Sequence, residues 1–79
     1  MSRPLQSPHK YPDIARLIKE AAAIVGSSKD LYTQLGVTRE TFYMWRAGRT
    51  KPSPQNARKI ETLTRKRIKA AILLPEVFG

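Results

Sequence analysis

Gly36 and Val37 are all that separates two short helical patterns, Ser27–Leu35 and Thr38–Ala47. Helices of about two turns do not persist alone in water, because nucleation costs more than so few hydrogen bonds return. The chain is therefore required to fold as several short helices that hold one another by packing. Its start and stop signals agree. Ser27, with Asp30 three residues on, forms a capping-box-like pair, and Gly36 suits the left-handed residue that closes a helix. Thr38 is the next N-cap, followed by an Arg39–Ala47 helix that Gly48 ends.

Similar punctuation divides the rest. Asp13 reads as the cap of a first helix whose Ile14, Leu17, Ile18, Ala21 and Val25 form one apolar stripe before Gly26. A basic loop, Arg49–Pro54, leads to a fourth helix with Pro54 in its first turn and Ala57, Ile60 and Leu63 as a narrow stripe. Arg65, Lys66 and Arg67 stand at its C-terminal end, where cations favour the helix dipole. Pro75 ends any fifth helix in the apolar tail. Residues 1–12 hold three prolines and no apolar period, so they read as a flexible basic N-terminal arm carrying Arg3, His9 and Lys10. The expected organisation is that arm followed by one domain over 13–79, an all-α, compact four- to five-helix bundle.

Charge narrows the function. In 79 residues, 15 Lys+Arg stand against 6 Asp+Glu, for a net charge of +9. Such an imbalance attracts anionic partners, nucleic acid above all. No cysteine and a single histidine exclude disulfides and a Cys/His zinc site, and no metal or cofactor is expected. Scattered carboxylates supply no pair of groups for acid–base or nucleophilic work, so the chain does not read as an enzyme. No apolar run approaches the roughly 20 residues that span a bilayer. The absence of cysteine also fits a reducing cytosol, so the expected location is the cytoplasm.

The third helix is the most informative element. Leu31, Leu35, Val37, Phe42 and Trp45 are the residues that two helices joined by a tight glycine turn would direct inward. Phe42 and Trp45 are three apart and share a face. Arg39, Glu40 and Met44 lie elsewhere, flanked by Thr41 and Tyr43. A helix in the DNA major groove contacts bases through such N-terminal positions. Arg39 matches guanine O6 and N7, Glu40 matches the cytosine amino group, and Met44 offers apolar contact to a thymine methyl. Thr38, Arg46, Arg49 and Lys51 fall where backbone phosphates would pass. Ser27 and Ser28, at another helix N-terminus, are further phosphate candidates.

The stretch "GSSKDLYTQLGVTRETFYMWRAGRTKPSPQNARKIE" is similar to the helix-turn-helix core of phage Cro and repressor proteins. With the "LLPEVFG" ending, which looks like the "L-x-P-[DE]-[IV]-F" close of the YdaS-like prophage group, the resemblance covers roughly residues 14–79. It implies a lambda-repressor-like helical bundle that binds an inverted-repeat operator in double-stranded DNA, usually as a homodimer. It also implies base contacts at Arg39, Glu40 and Met44, and phosphate contacts at Ser27, Ser28 and the loop after Ala47. Tyr32 departs from that pattern, which places a small residue there. Either the ring swings outward or the helices cross more widely.

The first expected function is sequence-specific transcriptional regulation by a Cro-like repressor. The alternative is a YdaS-like antitoxin or protein-interaction module that contacts a toxin through Tyr43 and Met44 or through the tail. Action on membranes is disfavoured, because the positive charge is spread over short capped segments and not laid along one face. Ile72, Leu73, Leu74, Val77 and Phe78 are the candidates for a dimer surface, with about half of them expected to be buried in the chain's own core.

Overall fold

Pro12, not Asp13, opens the first helix in the computed structural model, which describes residues 10–78. Proline suits a first-turn position, where an N–H would have no partner inside the helix. Helix α1 (Pro12–Val25) has Tyr11 as its N-cap residue, without a side-chain cap bond. Asp13 serves instead inside the first turn, where its charge favours the helix dipole and its carboxylate lies 3.5 Å from Arg16. The last residues of the expected arm are thus built into the fold: Lys10 and Tyr11 both donate their amides to the Gly48 carbonyl, at 2.9 and 2.7 Å. Arg3 and His9 lie outside the described residues.

Helices α2 (Ser28–Leu35), α3 (Arg39–Arg46), α4 (Pro54–Leu63), α5 (Ala70–Leu73) and α6 (Pro75–Phe78) follow. That makes six helices among the described residues, where four or five were expected. The difference lies in the tail. Pro75 does not simply end α5; it also occupies the first position of a further single turn.

Side-chain oxygens start the middle helices. Ser27 accepts from the Asp30 amide at 3.1 Å, Thr38 from Thr41 at 3.1 Å, and Ser53 from Asn56 at 3.2 Å. Each satisfies one of the amides that a helix N-terminus leaves unpaired. Three helices end alike. In α2, Val37 donates to Tyr32 and Gly36 to Thr33; in α3, Arg49 donates to Met44 and Gly48 to Trp45. In α4, Lys66 donates to Glu61 and Arg65 to Thr62. This is the closure in which a left-handed residue turns the chain back over the last carbonyls. Gly36 and Gly48 fill that position at φ 76 and φ 73, but in α4 it is Arg65, at φ 55, with Lys66 at φ 66 after it. The three cations therefore stand at the C-terminal end of α4, as expected, in the turn that closes it. An L-residue held left-handed costs roughly 1–2 kcal/mol, of which glycine would return about half after its own entropy loss. Arg65→Gly is accordingly expected to stabilise the fold by about 0.5–1 kcal/mol in chemical denaturation.

The core is continuous across all these elements except α6. Ile14, Leu17, Ile18, Ala21 and Ala22 of α1 meet Leu31 and Leu35 of α2, Phe42 and Trp45 of α3, and Ala57 and Ile60 of α4. Ile68, Ala70, Leu73 and Leu74 complete it from the C-terminal side. The central helix is α1, packed on α2, α3 and α5. Val25 and Leu63, read as stripe residues, and Val37, read as facing inward, are half-buried at its edge. Thr64 is the one buried polar residue among the described residues, and its hydroxyl is satisfied. It donates to the Ile60 carbonyl at 2.8 Å and accepts from the Ile68 amide at 3.1 Å.

Candidate nucleic-acid interface

Helix α3 is divided lengthwise. Phe42 and Trp45 are 0% and 3% exposed, with ring centroids 6.2 Å apart, and they fix its inner flank. Tyr32 joins them. Its half-buried ring neither leaves the protein surface nor enters the core fully; it tilts against Phe42 at 5.6 Å, so a bulky residue is accommodated at the α2–α3 junction. On the outer flank Arg39, Glu40, Thr41, Tyr43, Met44 and Arg46 are all exposed.

Two stripes run along that flank. Arg39, Tyr43 and Arg46 lie four and three residues apart, so they stack on one side of the helix. The Arg39 and Arg46 guanidinium carbons sit 5.4 and 5.6 Å from the Tyr43 ring centroid. Such cation–π contacts contribute about 0.5–1 kcal/mol at an exposed site, and here they hold two long side chains against one platform. The organising role of Tyr43 was not foreseen, although the spacing of the three residues was visible. Glu40 and Met44 form the second stripe, one turn apart. Thr41 is tied to the helix start: Thr38 accepts from its amide and donates a 2.9 Å hydrogen bond to its hydroxyl.

The flanking cations differ in their freedom. Arg49 is exposed directly after α3. Lys51 is already engaged, its ammonium donating to the Glu76 carboxylate of α6 and lying 5.2 Å from the Tyr11 ring. That hydrogen bond raises the Lys51 pKa and lowers that of Glu76. The tie is thus present through neutral pH. It is lost in acid as Glu76 titrates through its lowered value, and in strong base as Lys51 titrates through its raised one. No feature of the sequence pairs positions 25 residues apart, so this tie had no local signal.

Ser27 spends its hydroxyl lone pair on the α2 cap, and Ser28 is half-exposed beside it. Among the described residues, no hydrogen bond, ion pair or ring contact joins either serine to α3. Of the tail residues, Leu73 and Leu74 are buried, Phe78 is half-buried under Arg58, and Ile72 and Val77 are 52% and 53% exposed. No helix among the described residues is long and apolar enough to cross a membrane.

Electrostatically the outer flank is dominated by cations. Three of the six acidic residues have assigned partners: Asp13 with Arg16, Glu76 with Lys51, and Glu61 with the Ala70 amide. Glu40 is the only acid on α3. A rigid, capped helix with two ordered guanidinium groups and a thioether on one side matches the donors and apolar groups that base edges require. No family model, curated protein or solved structure matches the chain.

Proposed function

We propose that the chain binds double-stranded DNA sequence-specifically, as a Cro-like transcriptional repressor of a phage or prophage-type element. In this reading α2, Gly36–Thr38 and α3 form a helix-turn-helix, and α3 enters the major groove. One observation carries it: the two large aromatics of α3 are buried while Arg39, Glu40, Thr41, Tyr43, Met44 and Arg46 face solvent together. Any surface helix turns polar groups outward; what favours reading here is that exposed Tyr43 and Met44 stand beside Arg39 and Arg46, which lie over the Tyr43 ring.

The roles divide by position. Arg39, Glu40 and Met44 read base edges, with Thr41 and Tyr43 beside them; Tyr43 keeps both arginines extended along the groove. Arg46 at the end of α3 and Arg49 just after it take phosphates, Thr38 takes one at its start, and Ser27 and Ser28 take one at the start of α2. A two-fold operator would be read by two copies one helical turn apart.

Selection of bound duplexes from a random pool, followed by binding at two salt concentrations, tests this. Arg39→Ala is expected to cost about 1–3 kcal/mol on the selected site and to relax preference at one base pair. Arg49→Ala should weaken selected and random duplexes equally, with the salt slope falling by about one unit. If both variants lose the same on both duplexes, α3 has no reading role. Glu76→Gln provides an independent check on Lys51. Freed of its carboxylate partner, that ammonium becomes available to a phosphate, and affinity at low salt should rise about two- to fivefold with a steeper salt dependence. An unchanged slope would place Lys51 away from the DNA.

The exposure of Ile72 and Val77 favours a second reading, in which the tail contacts protein. The contact would be a second copy in a dimer, or a toxin if the chain acts as an antitoxin. Alanine at both positions should then abolish association without altering the base preference conferred by Arg39.

A further inference from the structure

Helices α1, α2 and α4 all end around one concavity of about 420 Å³, away from the residues assigned to DNA. Ile24, Val25 and Leu63 supply the aliphatic part of its lining, and Gln34, Thr64, Arg65 and Arg67 the larger polar part. We propose that this concavity binds an acidic peptide segment of a partner protein, seating an aliphatic side chain against Ile24, Val25 and Leu63 and carboxylates on the two arginines.

Three observations support the assignment. The cations are unspent: Arg65, Lys66 and Arg67 are exposed, and neither ion pair among the described residues includes them. The loop that carries them is also rigid. Glu61 holds the loop at two points, its carbonyl accepting from Lys66 at 2.7 Å and its carboxylate accepting from Ala70 at 2.7 Å, while buried Thr64 bonds to Ile68. The backbone that carries the arginines is fixed before binding, so only their side chains lose freedom on binding. Finally, Arg65 stands where the other two closures use glycine, and Lys66 repeats the left-handed conformation. Cations at a helix C-terminus favour its dipole in any backbone conformation. The dipole does not explain a strained placement, and strain of this kind gathers at functional sites.

The lining decides between an acidic peptide and a nucleic acid. Single-stranded bases are held by stacking on aromatic rings, and no ring lines this concavity. A phosphate backbone would use the arginines but would leave Ile24, Val25 and Leu63 in water. A carboxylate-bearing chain with a leucine-like side chain satisfies both halves, through charge-assisted hydrogen bonds and apolar burial.

The test uses the full chain, isotope-labelled, titrated with a capped peptide that alternates leucine with pairs of glutamate and aspartate. Serine replaces leucine in a control peptide, and a random-sequence duplex serves as the third probe. The leucine peptide should move the amides of Ile24, Val25, Gln34 and the 63–67 segment while sparing α3. Arg65→Gly and Arg67→Ser should each weaken it about tenfold. Because Arg65→Gly is expected to raise stability, its loss of binding cannot come from unfolding. Arg39→Ala should leave peptide affinity unchanged, so this site and the DNA reading fail separately. Equal binding of the serine peptide would overturn the proposal, as would full affinity in Arg65→Gly. Shifts of the same amides by the duplex, without an effect of the peptide, would overturn it in favour of a second nucleic-acid surface.

Discussion

Phe42→Ala is expected to remove a large share of the stability of this protein. A buried Phe→Ala change typically costs 3–5 kcal/mol, about 2 to 3 of it transfer and the rest cavity. A chain of this length has only about 4–12 kcal/mol in total. Phe42 is fully buried and touches the rings of Tyr32, Tyr43 and Trp45, so its loss loosens α2 and α3 together. The thermal midpoint should fall by at least about 15 °C in circular dichroism. Met44→Ala, two residues along and 40% exposed, should move it by no more than the roughly 0.5 kcal/mol typical of surface changes. Equal effects at the two positions would contradict the inner and outer flanks assigned to α3.

Gly48→Ala should be far more damaging than Gly36→Ala. Gly48 has φ +73, and a Cβ there would stand 2.9 Å from the Tyr11 carbonyl oxygen and 3.3 Å from the Ala15 Cβ. The obstacle is backbone, which cannot rotate away. The left-handed penalty and the forced shift together come to about 2–4 kcal/mol. Gly36 has nearly the same φ, +76, but nothing lies within 4 Å of its Cβ position, so Gly36→Ala should cost only about 1 kcal/mol. Paired urea titrations of the two variants isolate the close approach of the α3 terminus to Tyr11. If they lose equally, that approach contributes nothing.

What the sequence disclosed was local. Ser27, Thr38, Gly26, Gly36 and Gly48 mark helix ends because a cap or a left-handed residue acts within three or four positions. The burial of Phe42 and Trp45 followed from their spacing. Errors arose where two residues could fill one role, or where the partner was distant. Asp13 and Pro12 are both good first-turn residues, and the proline prevailed as the opening position. Arg65 occupies a site for which glycine is the usual signal, and it is held there by Glu61 and Thr64 through contacts that no local pattern encodes. For the tail, the estimate that about half of its apolar residues would be buried was sound, but which half depended on how α5 turns onto α1 and α4. At the candidate interface, exposure of the α3 residues was legible from period alone. The engagement of Lys51 by Glu76 was not, since it requires the C-terminal helix to return to the loop after α3.

The lengthwise division of α3 has a consequence for how such a chain can change over generations. Residues 42 and 45 carry the cohesion of the helix with its neighbours, while 39, 40 and 44 make no contribution to the interior. Substitutions in the two groups should therefore act on fitness almost independently. Under the proposed DNA reading, the outer positions would acquire new specificity in single steps, on a scaffold that does not have to be repaired.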